Sequence, residues 1–373
     1  MENAIDERAG SRWKVAMTGV VAIVIAATLA GFGTSSISGA ATSNGASTQK
    51  LTTRPTHIAI TTPVSRSIPT GKAIDYVECT VPGCSTHYAS FASAAKLLGW
   101  TVHPIVAQPT PASIQVAFTQ VINDHPAAVV SVGYSKAEYL TQWNELVTDH
   151  ITNVAGDSAD PSSPAQHYYV IYGAPYNTAE GARMADFAYA KQGSSLRPLV
   201  LNIPSFAINQ DVTNGFVHEL KKLCAKCESS VIGIDASAIG TTAGSQVVGY
   251  VQGHPGINAI YATYDALSLG LSSALNQAGL HGVKLYGSSP GNANFANIAD
   301  GTEVGAYLTP VVEDGYQFAD LLARLFAGDS PAPDEVAVGQ WILTKSNIPS
   351  SSAEYIPIVA NYASQFKALW KKR

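Results

Sequence analysis

Short apolar runs alternate with longer amphipathic runs along most of the chain. The short runs are rich in Val, Ile and Tyr and are bounded by Gly, Pro, Asn or Asp, which is typical of buried strands. They predict strands over residues 72–79, 100–106, 127–133, 151–156, 167–173, 196–203, 230–236, 258–264 and 283–288.

The longer runs place apolar residues at helical spacing and end at Gly or Pro. One run begins at Pro111, directly after Thr110, and ends before Pro126, so its sequence marks both helix ends. The predicted helices cover residues 87–99, 111–124, 137–150, 178–192, 208–224, 243–253, 267–279, 316–328 and 362–370. This alternation predicts an α/β fold with parallel sheets flanked by helices. The chain has too many strand–helix units for one sheet, so we expect two Rossmann-like lobes.

Ligands of parallel α/β sheets bind beyond the carboxyl ends of the strands. Tyr134, Tyr176 and Tyr264 each lie at such an end. Two interpretations stay open for them. Aromatic residues pack well within sheets, and they also stack on ring-shaped ligands in clefts.

The composition excludes some classes of partner. Hydrophobic residues make up 46% of the chain, enough for a large core, whereas charged residues make up only 13%. The net charge is −5. A nucleic-acid partner normally requires a basic surface, so none is predicted.

The N-terminus has the pattern of an export signal. Basic residues precede an apolar run over residues 15–33, and small residues follow it up to residue 40. Residues 1–40 are therefore predicted to be a signal peptide or an uncleaved membrane anchor, because the run is long enough to span a bilayer. Residues 41–56 are rich in Ser and Thr and predict a flexible linker. The protein is expected outside the cytoplasm, in the periplasm or at the cell surface, either secreted or anchored.

The four cysteines form two sequence-local pairs, Cys79 with Cys84 and Cys224 with Cys227. Outside the cytoplasm, two local disulfides are the simplest interpretation. A shared zinc site is the alternative, and the long separation between the pairs gives it no support. Cys224 and Cys227 also follow the end of a predicted helix, whereas reactive pairs favour helix N-termini.

Catalytic motifs are incomplete. Residues 287–291 match G-x-S-x-G, but Pro290 has no backbone N–H for an oxyanion, and the last histidine, His281, precedes the serine. Phosphate-binding glycine loops and histidine pairs at metal-ligand spacing are absent from the sequence. The sequence therefore predicts neither an enzyme nor a cofactor nor a metal site.

Several segments resemble the type I periplasmic binding proteins, the ribose- and galactose-binding receptors of ABC transporters. The resemblance runs from about residue 72 to residue 328. It rests on EGARMADFAYAKQG (180–193), NGFVHEL (214–220), AIYATYDALSLGLSSALNQAGL (259–280) and the segment from KLYGSSPG (284–291) to YQFADLLARLFAG (316–328).

The resemblance implies two lobes joined by three chain crossings, with a ligand in the cleft between them. The N-terminal lobe would comprise residues 57–175 and 310–337, and the C-terminal lobe residues 176–309 and 338–348. Residues 349–373 would form an extension with a helix. The implied function is that of a monomeric extracytoplasmic substrate-binding protein that passes its ligand to permease subunits of an ABC importer. A ligand-sensing module for a signalling partner is the alternative.

The ligand-contacting positions of the family differ here. The loop after the first strand reads Val81-Pro82-Gly83-Cys84 in place of a motif with two aromatics, and of the family's polar set only Asp157 keeps its charge. The sequence therefore predicts a less polar, ring-containing ligand that is not a simple sugar. Asp265 would either contact the ligand or cap its helix. The predicted ligand-binding residues are Thr80, Pro82, Tyr134, Asp157, Ser158, Tyr176, Tyr264, Asp265, Ser289 and Thr309.

Overall fold

The computed structural model of the chain describes residues 49–332 and 337–371. The predicted signal peptide or anchor, residues 1–40, lies outside the described residues, as does the first half of the predicted linker, residues 41–48. Within the described ranges, every helix is too short or too polar to cross a membrane.

The first sheet consists of five parallel strands in the order β2-β1-β3-β4-β5. The central strand β3 is buried over its whole length, as its sequence AVVSV predicts. The strands are β1 (Ala73–Glu78), β2 (Thr101–Val106), β3 (Ala128–Val132), β4 (Thr152–Gly156) and β5 (Tyr168–Ile171).

Helices connect these strands and cover the sheet. They are α1 (Cys84–Leu97), α2 (Pro111–Asp124) and α3 (Leu140–Thr148). The bounds of α2 are those that the sequence predicts. The Thr110 hydroxyl accepts a hydrogen bond from the Ser113 backbone N–H at 3.4 Å, and Pro111 occupies the first turn.

The second sheet has six strands in the order β11-β10-β9-β8-β6-β7, of which only β11 is antiparallel to its neighbour. Its strands are β6 (Pro198–Asn202), β7 (Ser230–Gly233), β8 (Ala259–Ala262), β9 (Lys284–Ser288), β10 (Glu303–Leu308) and β11 (Trp341–Leu343). The intervening helices are α4 (Ala174–Gln192), α5 (Ala207–Leu223), α6 (Ala243–Gly253), α7 (Leu271–Gln277) and α8 (Asn292–Asp300). The predicted two-lobed α/β fold is confirmed.

The chain passes between the two sheets three times. It leaves the first sheet after β5, returns after β10 as α9 (Asp314–Ala327), and leaves again to form β11. The buried face of α9 carries Phe318 and Leu322 into the core of the first lobe, beside Phe91 of α1. The exact lobe boundaries implied by the resemblance stay a prediction.

The two ends of the described chain pack against each other. Arg54 donates hydrogen bonds to the carbonyl oxygens of Pro357 (2.7 Å) and Ile358 (3.1 Å) and lies over the Trp341 ring. Residues 49–56 therefore do not form a free linker, which corrects the expectation for this part of residues 41–56. The last helix, α10 (Tyr362–Trp370), stacks Trp370 on Tyr316 of α9.

Helices α4 and α5 touch through a reciprocal pair of glycines. A Cβ atom on Gly181 would overlap the Val212 carbonyl oxygen, and one on Gly215 would overlap the Thr178 carbonyl oxygen. The two backbones are therefore too close for any side chain at either position.

We predict that Gly181→Ala destabilises the protein by about 1–3 kcal/mol, because the added methyl must push two helices apart. Gly249→Ala is the matched control: it lies in α6 with open space around its Cβ position, and the helix propensity of alanine should stabilise the chain by about 0.5–1 kcal/mol. Urea unfolding measures the change in the free energy of unfolding for both variants. Equal effects of the two variants would contradict the packing described.

Candidate functional site

A cavity of about 110 Å³ lies between the carboxyl ends of the two sheets. Loops that follow β1, β3 and β4 form one wall, and loops that follow β6, β8, β9 and β10 form the other. Its lining residues are Cys79, Val81, Pro82, Cys84, His87, Val132, Gly133, Asp157, Asn177, Glu180, Phe206, Ile208, Asn209, Val212, Thr263, Tyr264, Ser289, Thr309, Pro310, Val311 and Asp314.

Part of the cleft lining is apolar. Phe206, Ile208 and Val212 come from the start of α5, and Pro82 and Val311 add apolar surface from the loops after β1 and β10. Such a surface favours a ligand with a hydrophobic body.

Another part of the lining, called the acidic side below, carries titratable groups. His87 of α1, Asp157 after β4 and Asp314 of α9 place one nitrogen or oxygen atom each within 4.8 Å of one another. His87 Nδ1 and Asp314 Oδ2 share a short hydrogen bond. Burial alone lowers the pKa of His87, but the adjacent Asp314 carboxylate outweighs it, so the net pKa is raised.

Glu180 of α4 adds a third carboxyl group, from the second lobe. Burial raises the pKa of Glu180 to about 8, although the Ser288 hydroxyl hydrogen bond opposes the shift. Burial likewise raises the pKa of Asp157 to about 7, with His87 opposing it. Among the described residues that line the cavity, Lys and Arg are absent, so histidine is the one basic side chain there.

The cleft is closed across its opening by direct contacts. The Tyr264 hydroxyl, after β8, donates a hydrogen bond to the Pro82 carbonyl oxygen, after β1. The Thr309 hydroxyl donates to Ser289 Oγ at 2.7 Å within the second wall. The Tyr264 contact joins loops of different sheets, so it breaks when the lobes separate.

Both predicted disulfides are present. The Cys79–Cys84 bond fastens the loop after β1 to the start of α1, and both cysteines line the cavity. The Cys224–Cys227 bond lies beyond the end of α5, away from the cleft. The pairing leaves no thiol among the described cysteines for the alternative zinc site.

Comparison with known proteins identifies the family. A sequence profile described as the periplasmic binding protein domain matches residues 84–330, more than half of the chain. The chain belongs to the periplasmic binding protein family. Its members are extracytoplasmic proteins, as their name states, and the two-lobed fold described above is theirs. Among curated proteins, none matches the chain at a significant level.

Solved structures share the fold at low sequence identity. A glucose–galactose binding protein from Geobacillus stearothermophilus has 18% identity and a TM-score of 0.66, covering 76% of this chain and 100% of its own. The 5-methylthioribose transporter solute binding protein from Thermotoga lettingae, in complex with 5-methylthioribose, has 16% identity and a TM-score of 0.69, covering 82% and 100%. A chain of the XylFII–LytSN complex has 16% identity and a TM-score of 0.64, covering 75% and 100%.

Half of the ligand-binding residues predicted from the resemblance to this family line the cavity. They are Pro82, Asp157, Tyr264, Ser289 and Thr309. Their assignment as ligand contacts stays a prediction.

Three other predicted residues make structural contacts away from the cavity. The exposed Thr80 hydroxyl donates to Gln108, and Tyr134 is buried behind the first sheet, where its hydroxyl donates to the Ala107 carbonyl oxygen. Ser158 is buried and shares a hydrogen bond with the Tyr168 hydroxyl at 3.3 Å. These three side chains face the interior or the outer surface rather than the cleft.

Tyr176 and Asp265 also lie outside the lining. Tyr176 packs between Tyr172 and Tyr307, whose ring centroids are 4.8 Å and 6.5 Å away, where the chain first crosses between lobes. The Asp265 carboxylate is buried and accepts a hydrogen bond from the Ser268 hydroxyl at 2.9 Å, three residues on in its own helical turn. That bond joins two side chains, and the turn begins after Tyr264 without a side-chain cap, so Asp265 does not cap it. Its assignment as a ligand contact stays a prediction.

Sequence reasoning missed the acidic side of the cleft. It inspected the residues directly after each strand, whereas His87, Glu180 and Asp314 lie within the first two turns of the helices that follow. Their residue types could have indicated these positions, because all three are titratable residues near the start of helices that follow strands.

We predict that Glu180→Gln stabilises the ligand-free protein near pH 8 and has little effect near pH 5. A carboxyl group whose pKa is raised by folding stabilises the folded chain at low pH. This contribution is lost as the pH rises from the pKa of the group in the unfolded chain, about 4.3, through its pKa in the folded chain. The expected gain at pH 8 is on the order of 1–3 kcal/mol, because one pKa unit corresponds to about 1.4 kcal/mol.

Denaturant unfolding across this pH range measures the effect. Asp149→Asn, at the exposed end of α3, is the control and should change the free energy of unfolding by less than about 0.5 kcal/mol at each pH. A Glu180→Gln variant that is equally or less stable at pH 8 would contradict the destabilising effect of the buried Glu180 charge.

Proposed function

We propose that the protein is the extracytoplasmic solute-binding component of an ABC importer and captures a small ligand in the cleft by closure of the two lobes. The observation that carries this proposal is the cavity itself, which lies where the strand ends of both sheets meet. Family membership and the solved neighbours, two of which are named for glucose–galactose and 5-methylthioribose binding, support it. Hinge closure would complete the binding site, and no bond in the ligand would change.

The ligand that fits the lining best has a less polar, ring-containing body. Phe206, Ile208, Val212 and Val311 contribute apolar side chains to the lining, and the Tyr264 hydroxyl reaches across to the Pro82 carbonyl oxygen. A simple sugar presents hydroxyl groups all around its ring, and several of these would meet apolar atoms here. Each polar group buried without a partner costs about 1–3 kcal/mol, which weakens the case for a free hexose or pentose.

The N-terminal segment bears on how the protein is retained. Residues 1–40 would act either as a cleaved signal peptide or as a membrane anchor.

A role as a ligand-sensing module for a signalling partner is the second candidate function, favoured by the structural neighbour that forms a complex with a second protein. Co-purification of the full chain with permease subunits supports the transporter, whereas co-purification with a membrane sensor protein supports the second candidate.

A thermal-shift screen of the purified full-length protein tests the proposal. We predict that ring-containing compounds of low polarity raise the melting temperature and that glucose, galactose and ribose do not. At a ligand concentration of about 100 times Kd, the expected stabilisation is about 2.7 kcal/mol.

Site variants tie the response to the cleft. Phe206→Ala should weaken binding of the best compound by about tenfold, since the lost apolar contact is worth about 1.5 kcal/mol. Leu140→Ala is the matched control, because Leu140 is an exposed hydrophobic residue on α3, away from the cavity. Tight, saturable binding of a simple sugar, or a hit whose affinity is unchanged in Phe206→Ala, would contradict the proposed ligand class.

A further inference from the structure

We propose that the ligand carries a positive charge on its apolar body, as an organic ammonium ion does, and that this charge lies among Asp157, Asp314 and Glu180. The inference rests on the proposed function and names the chemical class of its ligand.

The first argument is the unbalanced charge of the cleft. Asp314 and Glu180 are only 1% and 2% exposed, and each has a carboxylate oxygen without a hydrogen-bond partner among the described residues. His87 is hydrogen-bonded to the other oxygen of Asp314 and can neutralise one carboxylate at most. Buried carboxyl groups normally have partners, so the free oxygens mark where a donor group of the ligand fits.

The second argument is the origin of these groups in different lobes. Asp157 follows β4 and Asp314 begins α9, both in the first lobe, whereas Glu180 belongs to α4 in the second. Closure brings the charges together, and the negative charge of Asp157 contributes to the raised pKa of Glu180. Without a ligand, protons must neutralise these groups. A bound cation would replace the protons and hold the lobes together.

The rest of the lining includes apolar residues. Phe206, Ile208 and Val212 contribute side chains to the same cavity as the three carboxyl groups. A ligand with one positively charged end and one apolar end matches both kinds of lining residue. An anionic ligand could accept hydrogen bonds from Asn177, Ser289 or Thr309, but its charge would lie beside the three carboxyl groups, so carboxylates and phosphates fall outside the proposed class.

A metal ion is the competing occupant. His87, Asp157 and Asp314 could supply three ligand atoms, all from the first lobe. Coordination through His87 Nδ1 would break its hydrogen bond to Asp314, and a metal ion held by these three residues would leave Glu180 and the apolar part of the lining without a role. The arrangement therefore favours an organic cation.

Matched probes isolate the charge. Benzylamine, benzyl alcohol and benzoate share a ring and differ in charge, as do cyclohexylmethylamine, cyclohexylmethanol and cyclohexanecarboxylate. Titration calorimetry on the full-length protein near pH 7.5 should show each amine binding at least about tenfold more tightly than its alcohol, since a charged hydrogen bond adds about 1.5–3 kcal/mol. The carboxylates should not bind.

Two variants remove single charges with little change in shape. Asp157→Asn suits the positive φ angle of that residue, which asparagine tolerates, and Glu180→Gln is isosteric. Each should weaken amine binding by about fivefold or more and leave alcohol binding within about twofold. Asp186→Asn, a half-buried acid of α4 outside the cavity lining, is the matched control and should change neither.

The pH dependence gives a second readout. Amine affinity should rise between about pH 6 and pH 8 with net proton release, because Asp157 and Glu180 must lose their protons and an alkylammonium stays charged up to about pH 10. Titratable and charged groups face both acids. Asp157 faces His87 and Asp314; Glu180 faces Asp157, Arg183, Tyr176, Tyr261 and Tyr307. Alcohol affinity should not rise in this way.

Three results would overturn the inference. Equal binding of amines and alcohols in the cleft would leave the proposed function intact and remove the charge requirement. Absence of amine binding at millimolar concentration would reject the ligand class, while the sugar and ring-compound screen still decides the proposed function. Binding of MnCl₂ alone, lost in His87→Ala and in competition with the amines, would assign the acidic side to a metal ion.

Discussion

The burial of three carboxyl groups where two sheets end is the constraint that organises this protein. Parallel strands direct their carboxyl ends toward one edge, and the three chain crossings turn the two edges toward each other. Asp157, Asp314 and Glu180 consequently meet in one cleft, where His87 is the one basic side chain of the described lining and Arg183, outside that lining, acts on Glu180. This arrangement lowers the stability of the ligand-free closed form at neutral pH, and contacts outside the cleft must compensate.

Aromatic contacts at the crossings supply part of that compensation. The Tyr172 hydroxyl donates a hydrogen bond to Gln317 of α9, and Tyr176 packs against both Tyr172 and Tyr307. These rings lie where closure would bend the chain. Tyr176 therefore makes its ring contacts at a chain crossing, outside the cavity lining, and its assignment as a ligand contact stays a prediction.

The C-terminal extension adds a further connection beside the cleft. Its Tyr355 ring lies against Gly83, next to the first disulfide, and the Asn292 backbone N–H donates to the Glu354 carbonyl oxygen at 2.8 Å. The Glu313 carboxylate accepts a hydrogen bond from the Val359 backbone N–H at 2.9 Å. The extension thus contacts both lobes, so any opening of the cleft involves it.

Periodicity and local helix signals were sufficient to predict the two-lobed fold. The ends of α2 follow from Thr110 and Pro111, and most strands follow from continuous apolar runs. Strand β10 was not among these runs, because Glu303 and Gly305 interrupt its apolar pattern. Glu303 is buried beside Asp265, and such burial of an acid inside a strand depends on tertiary contacts.

The site was less predictable for a geometric reason. A residue directly after a strand can turn toward the cleft or back into the core, and periodicity does not distinguish the two. Tyr134 and Tyr264 illustrate this, since both follow strands but only Tyr264 reaches across the cleft. The acidic side depends on side chains from three helices that are far apart in sequence, so only the folded chain brings it together.

A crystal structure of the protein with the compound that binds best in the screen tests the central claim most directly. The predicted result is a ligand enclosed between the lobes, with its ring against Phe206 and its polar end beside Asp157 and Glu180. A ligand bound on the outer surface of one lobe, with the cleft empty, would contradict the assignment of this cleft as the binding site.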